Sequence, residues 1–521
     1  MARQSKIILC NNIKLDRENK NVLTYSESDM LTLVGSTGIK VAEASDYSFI
    51  GKGDRDAITV SVSYTTCLGC NYMAFQNYNY SNKWYFAFID RVEYISEGAT
   101  RLYYTVDIFS TWYDYWSNKA CYVVREHANS DNVGENTIDE GLAIGDQYII
   151  RGYTTDSQIS AGTYYIIAST YSPEENKEVM GGKYNGLYTG TIFFGYGSDT
   201  AVDSALRRII NAQNGGGLQA IQSVFTAPAM LVPLQDGQVI NPDLYTYNTT
   251  MDKITQIGSY VPKNNKLLTY PYVYLEVSNG VGASSILKQE LFTVNQQGKC
   301  EFKVDAVLCP GCSIRMTPKN YNGASLSIED GITLGKYPIC NFAGDAYVNW
   351  LTQNGVNIAT EVIGSAINLG MGVGGAGGGS ISNGILGLIS AGDELRRAEL
   401  VPPTVKGNIN AGDVMFSNGS LTFHRFQKTI KEEIAREIDD YFTMYGYKTN
   451  RLKVANQTGR TYWNYVQIGP NETIGYQKVN VLAVPPMDLD NINKLYQRGI
   501  TLWHSHSTLG DYTQNNTIVS S

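Results

Sequence analysis

The chain has 521 residues, with 41 Lys and Arg against 49 Asp and Glu, which gives a net charge of −8. This length allows about three domains and several cores, so it excludes a peptide and a small disulfide scaffold. The acidic balance argues against a protein that grips a nucleic-acid phosphate backbone. Charged residues make up only 17% of the chain, and Tyr outnumbers Phe and Trp with 38 residues against 15 and 6. Such a composition favours pleated strands joined by turns.

The N-terminal half of the chain reads as a succession of strands. Residues 57–64 alternate between apolar and polar positions, and residues 83–90 form an aromatic run suited to a strand buried on both faces. A short Gly-containing connection at 96–100 predicts a hairpin between that strand and the next. Further strands are predicted at 101–107, 162–168, 190–195, 271–277 and 301–307. The expected fold class is therefore mainly β, a β-dominated α+β chain with a few helices.

Three segments have the periodicity of helices. The first is predicted at 203–212, before a run of glycines, and the third begins near Asp488 and ends before Gly499. The second is predicted over 425–445 and ends at Gly446. Its apolar positions repeat every four residues, at Phe426, Ile430, Ile434, Ile438 and Phe442.

The N-terminus has a short apolar run and no small-residue cleavage site, so we expect no signal peptide and synthesis in a cytoplasm. The eight cysteines should then be mostly free thiols. Two pairs, Cys67 with Cys70 and Cys309 with Cys312, each have the spacing of half a zinc site. They form a metal site only if both turns meet in space, and the alternative is that they pack as small apolar residues.

No catalytic constellation is evident in the sequence. The pair His504 and His506 would need a third ligand to hold a metal, and the alternative is a C-terminal strand with two outward imidazoles. The acidic pairs at 432–433 and 439–440 fit the solvated face of a helix, because neighbours on a helix point in different directions. We therefore predict a protein that is not an enzyme, with no catalytic residue, cofactor or metal ion.

One segment departs from the pattern of the rest of the chain. Residues 362–392 are 31 consecutive uncharged residues, of which eleven are Gly. This run is long enough to span a bilayer, but the glycines weaken a permanent helix, so it resembles a conditional membrane inserter. The alternatives are a buried Gly-rich hairpin and a disordered linker. The predicted membrane-active side chains are Val362, Ile363, Ile367, Leu369, Met371, Val373, Ile381, Ile385, Leu386, Leu388 and Ile389. The predicted hinge consists of Gly374, Gly375, Gly377, Gly378 and Gly379.

Several blocks resemble the tail knob, or distal tail tube, proteins of small short-tailed phages with protein-primed genomes, of the Salasmaviridae type. The matching blocks occur in the family's order and are FQNYNYSNKW (75–84), VDIFSTW (106–112), VREH (124–127), NTIDEGL (136–142), GYKTNR (446–451), NYVQ (464–467) and GITLWH (499–504). The match is weakest over about 150–340. The family's long hydrophobic loop falls at 362–392. Neither cysteine pair belongs to the family pattern.

The resemblance implies a homohexameric tube built of antiparallel β-barrel or sandwich domains at the distal end of a virion tail. Genomic DNA would pass through the lumen without specific binding, and the hydrophobic loops would emerge to form a pore in the host membrane. The acidic balance agrees with this, because a negative lumen does not retain DNA. Other tail proteins are the remaining expected partners.

Four segments follow from the resemblance. They are a tube-type β domain at 1–120, a β-rich knob domain at 121–345, the hydrophobic loop with its flanks at 346–400, and a C-terminal α+β domain at 401–521. The alternative function is a glycan- or receptor-binding tail protein without pore activity, because the aromatic cluster at 112–116 could stack on sugars. That same cluster could instead pack at an interface.

Overall fold

The computed structural model describes most of the chain outside one long internal segment. The described residues are 5–45, 47–52, 55–76, 82–155, 163–179, 183–184, 187–188, 191–213, 215–217, 220–228, 235–240, 244–279, 284–307, 313–323, 332–336, 339–341, 423–477 and 483–519.

The chain divides into two compact units. The first comprises Met1–Ile144, Tyr260–Leu267 and Glu432–Ser521, and the second comprises Gly145–Ser259 and Leu268–Lys431. Both are mostly β and built chiefly of antiparallel sheets, so the expected mainly β fold is confirmed. The four-segment division expected from the sequence stays a prediction.

Strands dominate both units. The N-terminal part of the chain contributes β1 (Lys6–Cys10), β2 (Asn21–Leu23), β3 (Lys40–Ala44), β4 (Tyr47–Lys52), β5 (Arg55–Val60), β6 (Tyr72–Gln76), β7 (Trp84–Ser96), β8 (Ala99–Val106), β9 (Trp116–Asn118) and β10 (Ala120–Glu126). The second unit contributes β11 (Ile149–Thr155), β12 (Thr163–Ser169), β13 (Tyr171–Ser172), β14 (Lys177–Glu178), β15 (Lys183–Tyr184), β16 (Leu187–Tyr188), β17 (Ile192–Tyr196), β18 (Ile221–Pro228), β19 (Gln238–Ile240), β20 (Leu244–Asp252), β21 (Val273–Ser278), β22 (Ser284–Leu287), β23 (Lys299–Val307), β24 (Ser313–Lys319), β25 (Ile332–Lys336), β26 (Ile339–Asn341) and β27 (His424–Thr429). The C-terminal part contributes β28 (Tyr447–Val454), β29 (Trp463–Ile468), β30 (Gly475–Gln477) and β31 (Ile500–Trp503).

Helices are few and mostly short. The described α-helices are α1 (Glu27–Val34), α2 (Tyr64–Cys67), α3 (Ile108–Trp112), α4 (Asp199–Asn211), α5 (Glu432–Tyr445) and α6 (Pro486–Arg498). Single 3₁₀ turns occupy Tyr113–Tyr115, Asn265–Leu268 and Gln289–Leu291. Among the described helices, none combines the length and the hydropathy that a bilayer crossing requires.

A seven-stranded sheet belongs to the first unit. Its strand order is β3-β1-β6-β7-β8-β5-β4. Successive side chains of a strand point to opposite faces, and here both faces are buried. Ile7, Met73 and Ala87 lie in one core, whereas Ile8, Tyr72 and Phe86 lie in another core with Trp463 and Trp503. The predicted strand at 83–90, buried on both faces, is confirmed as part of β7.

A second sheet of the first unit has the order β2-β31-β29-β10-β28, with a parallel pair between β2 and β31. Strands β9 and β30 form a separate two-stranded sheet. The helices α3 and α6 pack against the five-stranded sheet through an aromatic core. Phe109, Trp112, Trp116 and Tyr496 are its aromatic members.

The second unit holds three larger sheets. Their orders are β19-β17-β12-β18-β26, β20-β23-β24-β25 and β11-β27-β21-β22. Short two-stranded sheets are formed by β13 with β14 and by β15 with β16. Helix α4 packs on the first of these three sheets, where Val202, Ala205, Leu206 and Ile209 are buried. The strands predicted at 162–168, 190–195, 271–277 and 301–307 are confirmed as β12, β17, β21 and β23.

The helix predicted over 425–445 is only partly correct. Residues His424–Thr429 form the strand β27, and the helix α5 begins at Glu432. The predicted end is confirmed, because Gly446 has a φ of +64° and its N–H donates to the carbonyl of Phe442. A Cβ on Gly446 would lie 2.2 Å from the carbonyl oxygen of Glu126, so the position requires glycine.

Candidate functional site

The predicted membrane-active side chains and the hinge glycines at 362–392 lie outside the described residues. The strands β26 and β27 mark the two places where the described chain meets this part, which covers 342–422. The residues around these two strands in the second unit form the anchor of the 342–422 segment.

The C-terminal side of the anchor is a fully paired strand. β27 lies between β11 and β21 and is antiparallel to both, with Thr429 opposite Ile149 on one side and Val273 on the other. Phe423, just before the strand, is fully buried. The backbone hydrogen bonds on both edges therefore fix the chain directly after the 342–422 segment.

Side chains of β27 also bind the strand β20 of a neighbouring sheet in the same unit. Arg425 is 3% exposed, and its Nη1 donates to the carbonyl of Thr250 at 2.6 Å. Gln427 donates from Nε2 to the carbonyl of Asp252 at 2.7 Å. Lys428 forms an ion pair with Glu276 on β21. These contacts hold the C-terminal end of the 342–422 segment to two sheets.

A second cluster, the buried charge cluster, lies in the first unit. Glu140 has a fully buried side chain that accepts hydrogen bonds from Arg125 and Lys266, and from the backbone N–H of Lys448 at 2.9 Å. Arg125 also donates to the carbonyl of Gly446 at 2.7 Å. Burial lowers the pKa of Lys266, and the Glu140 carboxylate opposes this shift.

The neighbouring residue His127 joins the same part of the first unit. Its Nε2 lies 3.0 Å from the carbonyl of Thr443, and its Nδ1 accepts a hydrogen bond from the backbone N–H of Tyr465 at 2.9 Å. Complete burial and the nearby charge of Arg460 lower its pKa to about 3, so the ring is neutral at pH 7. Four of the blocks that resemble the phage family thus touch one another here, at 124–127, 136–142, 446–451 and 464–467.

Asp439 contradicts the prediction that the acidic pairs on α5 form a solvated face. Its side chain is fully buried. One carboxylate oxygen accepts from the backbone N–H of Lys263 at 2.7 Å and from the hydroxyl of Tyr260 at 2.5 Å, and the other accepts from Nδ2 of Asn264 at 2.8 Å. The carboxylate therefore fixes the 260–264 segment on α5. Asp440 is exposed, as predicted.

The role of these clusters is to join chain segments that are distant in the sequence, because their charged groups are already bound by partners within the protein. Sequence reasoning missed Glu140, Lys266 and Asp439 as the centres of such clusters. The only sequence signal was that Glu140 and Arg125 fall within blocks shared with the phage family.

The predicted zinc arrangement gains no support from the described residues. Cys67 and Cys70 are buried in an apolar core, and burial raises the pKa of both thiols, that of Cys70 to about 11. Cys309 and Cys312 lie outside the described residues. Within the described part of the chain, no group of three or more His, Cys, Asp or Glu side chains is placed to hold a metal ion.

The two histidines near the C-terminus are not on an outward strand face, so that prediction is wrong. β31 ends at Trp503, and the ring of His504 lies 3.0 Å from both the hydroxyl of Thr24 and the amide oxygen of Asn464. The Nε2 of His506 accepts from the backbone N–H of Lys14. Both rings therefore hold chain segments in place.

The aromatic cluster at 112–116 lies largely in the core. Trp112 and Trp116 are 2% and 4% exposed, and Nε1 of Trp112 donates to the carboxylate of Asp488 at 2.9 Å. A sugar cannot stack on rings that are already covered by protein, so these two residues do not supply the expected glycan platform.

Comparison with known proteins places these features in a family. A family model described as the C-terminal domain of the tail knob protein gp9 of Bacillus phage phi29 matches residues 238–517. The chain belongs to the phage tail knob protein family. A second model, the N-terminus of caudoviral major tail proteins, matches residues 3–117. Members of the tail knob family are structural components of virion tails, so the predicted family is confirmed.

Individual members of the tail knob family match along nearly the whole chain. The chain is 25% identical to the tail knob protein gp9 of Bacillus phage B103, with 97% of each chain covered. It is 23% identical to the tail knob protein gp9 of Bacillus phage phi29, with 92% of each covered. The solved structure of the bacteriophage C1 tail knob protein gp12 matches with a TM-score of 0.63 at 14% identity, covering 99% of this chain and 100% of that one. This last similarity shows a shared fold.

Proposed function

We propose that the protein is a non-enzymatic structural component of the distal tail, forming a homohexameric tube that conducts the genome and penetrates the host membrane through its apolar segment. Membership of the tail knob family carries the proposal, together with the 31 uncharged residues at 362–392 between two anchored strands. In this proposal the protein is made in the host cytoplasm, assembles with other tail proteins and needs no cofactor or metal.

The edges of one sheet in the second unit support assembly into a ring. In the described residues, β11 and β22 end the sheet β11-β27-β21-β22, and a free strand edge is a template for pairing with another chain. Ile149, Ile150 and Tyr153 on β11 are 47%, 53% and 54% exposed, and Ile286 on β22 is 52% exposed. Pairing of β11 with β22 of the next copy would be head-to-tail, which closes into a ring when the rotation allows.

Size-exclusion chromatography with light scattering tests this assembly, and micrographs test the ring shape. We expect the intact protein to form hexameric rings and Ile150→Lys to shift it toward monomer, because a charge at a strand-pairing surface opposes association. Met487→Lys is the matched control, since Met487 is 78% exposed on α6 and outside this sheet. If the two variants assemble equally well, the edges of this sheet do not form the ring contact.

The acidic balance supports passage of DNA without retention. The net charge is −8, and each cation that binds a phosphate would add a salt-dependent attraction that slows transit. The proposed lumen is therefore negative or near neutral. Retention of duplex DNA by the assembled protein at about 0.15 M salt in a filter-binding assay would contradict this property.

The apolar segment supports membrane penetration. Its eleven large apolar residues favour insertion by on the order of 3–6 kcal/mol, which the eleven glycines partly offset. One segment alone would therefore bind a bilayer weakly. Six segments in one ring would act at a high effective concentration on the same patch of membrane.

Dye release from liposomes tests the penetration step. We expect deletion of 362–392 to abolish release while ring assembly is kept. The sharper variant replaces the eleven large apolar residues with Ser, since it keeps the chain length and the glycines. Release at the intact level from this variant would show that the segment is not the inserter.

The alternative is a glycan- or receptor-binding tail protein without pore activity. The burial of Trp112 and Trp116 removes two of the aromatic residues at 112–116 on which that expectation was based. Adsorption to host cells separates the two functions. The proposed function predicts that the Ser-substituted variant adsorbs but fails to release dye, whereas the alternative predicts that the intact protein releases no dye either.

A further inference from the structure

A polar cavity of about 600 Å³ lies in the second unit at the C-terminal end of α4. This volume is in the range of roughly 300–1,000 Å³ that small-molecule sites occupy. The lining side chains used below are Tyr171, Asn176, Arg207, Arg208, Asn211 and Gln213.

The local sequence explains why these side chains line a cavity. The buried face of α4 carries its apolar residues, so Arg207, Arg208 and Asn211 stay on the exposed side. The turn after the helix is held by the N–H of Gly217, which donates to the carbonyl of Ile209 at 2.8 Å. A Cβ on Gly216 would lie 2.3 Å from the Cβ of Ala212, so glycine is needed for this close return.

The opposite side comes from the connection between β13 and β14. The hydroxyl of Tyr171 donates to Oδ1 of Asn176 at 2.8 Å. Tyr171 is only 2% exposed, so its ring forms the floor and does not offer a stacking surface. A ligand here would be recognised by hydrogen bonds at exposed amide and guanidinium groups.

The charges of the cavity are largely compensated. Arg208 donates through both terminal nitrogens to Glu174, at 3.0 and 3.1 Å. Arg207 donates from Nε to Asp203 at 2.8 Å, and its terminal nitrogens have no partner among the described residues. The carboxylate of Glu178 lies beside Gly215 on the same turn. Among the described side chains, each of the two arginines that line the cavity is thus paired with an acid, so an anionic ligand would find little net attraction.

We propose that this cavity binds a neutral saccharide. Asn176, Asn211 and Gln213 each offer both a donor and an acceptor, and the terminal N–H groups of Arg207 offer further donors. Adjacent hydroxyls of a sugar also combine donors and acceptors, so they match this set, whereas a phosphate or carboxylate would lie near Asp203 and Glu174, the acids that pair with Arg207 and Arg208. With hydrogen bonds and no stacking ring, the affinity per site is modest, with a Kd on the order of 1 mM. This activity goes beyond the proposed tube and pore.

Ligand-observed NMR with saturation transfer tests the inference on the full chain. The neutral probes are maltotriose, cellotriose and chitotriose, and the anionic probe is glucose 6-phosphate. We expect at least one neutral trisaccharide to bind, and the double variant Arg207→Ala, Asn211→Ala to bind it about tenfold more weakly, because two hydrogen-bonding groups are lost. Lys494→Ala is the matched control, since Lys494 is also an exposed helix residue paired with an acid four residues away.

Three results would overturn the inference. The first is that none of the trisaccharides binds the intact protein. The second is that glucose 6-phosphate binds and the neutral probes do not. The third is that the double variant and Lys494→Ala bind the trisaccharide equally well while both keep the circular dichroism spectrum of the intact protein. The readout does not depend on liposome leakage or ring assembly, so it is separate from the proposed function.

Discussion

The buried charge cluster predicts a large loss of stability from a single isosteric substitution, Glu140→Gln. The carboxylate of Glu140 faces both Arg125 and Lys266, and the exposed fractions of the three side chains are 0%, 9% and 2%. Glutamine keeps the shape of the side chain but removes its charge. It therefore leaves two buried cations without their shared anion.

The size of the effect follows from burial. Removing one partner of a buried ion pair costs about 3–5 kcal/mol, because the remaining charge is left without solvent or counterion. Exposed pairs contribute only about 0–1 kcal/mol. Asp490→Asn provides the comparison, since Asp490 and Lys494 form an exposed pair on α6 with exposed fractions of 62% and 64%. We expect its loss to stay below about 1 kcal/mol.

The pH dependence adds a second signature. Burial lowers the pKa of folded Lys266 below its unfolded value of 10.5, so the unfolded state binds more protons between these two pKa values and stability rises with pH there. Without the Glu140 carboxylate, the pKa of Lys266 falls further. The loss of unfolding free energy caused by Glu140→Gln should therefore be largest at neutral pH and become smaller as the pH approaches 10.5.

Urea unfolding followed by tryptophan fluorescence measures both effects. Five of the six tryptophans, at positions 84, 112, 116, 463 and 503, belong to the first unit, so the signal reports on the unit that holds the cluster. Urea curves at pH 7 and pH 9.5 give the loss of unfolding free energy at two degrees of protonation of Lys266. A loss at pH 7 no larger than that of Asp490→Asn would refute the reasoning, since Glu140 would then not be stabilising two buried cations.

Three further predictions concern the first unit. Gly446→Ala should cost more than about 1 kcal/mol, because the φ of +64° disfavours a side chain and a Cβ would clash with the carbonyl of Glu126; a thermal melt that matches the intact protein would contradict this. The folded pKa of His127, about 3, lies below the unfolded value of 6.5, so its neutral ring contributes stability above pH 6.5 that is lost as the pH falls toward 3. The stability gap between the intact protein and His127→Gln should therefore narrow over that range in urea titrations, and a constant gap would count against it. Cys67 and Cys70 should react with iodoacetamide at pH 8 only after denaturation, because their pKa values are raised by burial; peptide mass mapping of native protein would disprove this by finding both alkylated.

The order of apolar and polar residues predicted most strands, because burial of one or both faces of a strand requires apolar side chains at those same positions. The aromatic run at 83–90 lies in β7 apart from Lys83, and Ala87 and Ile89 of this strand belong to a core. The alternation at 57–64 lies in β5 only as far as Val60, because Tyr64 begins the short helix α2. The sequence predicts a helix at 425–429 because Phe426 and Ile430 continue the repeat of α5. Pairing with β11 and β21 decided the outcome, and no local property of the sequence reports a strand partner so far away.

The buried charged residues also depend on partners that are distant in the sequence. Asp439 and Asp440 are chemically identical neighbours, yet one is buried and the other exposed. The difference lies in Asn264, which is 175 positions away from Asp439 in the sequence and binds its carboxylate. Periodicity predicts on which face of its helix a residue lies. It does not predict which distant segment packs against that face.

The two ends of the 342–422 segment are held with unequal mechanical strength. β26 is three residues long and pairs in the described structure with β18 at three positions, whereas β27 pairs with β11 and with β21 at six positions each. Under tension, hydrogen bonds at an edge of three residues would unzip one after another, while a strand held on both sides must break two ladders at once. A pull on this segment would therefore detach β26 first and lengthen the segment at its N-terminal end. Its C-terminal end would stay attached, because β27 would remain paired with β11 and β21.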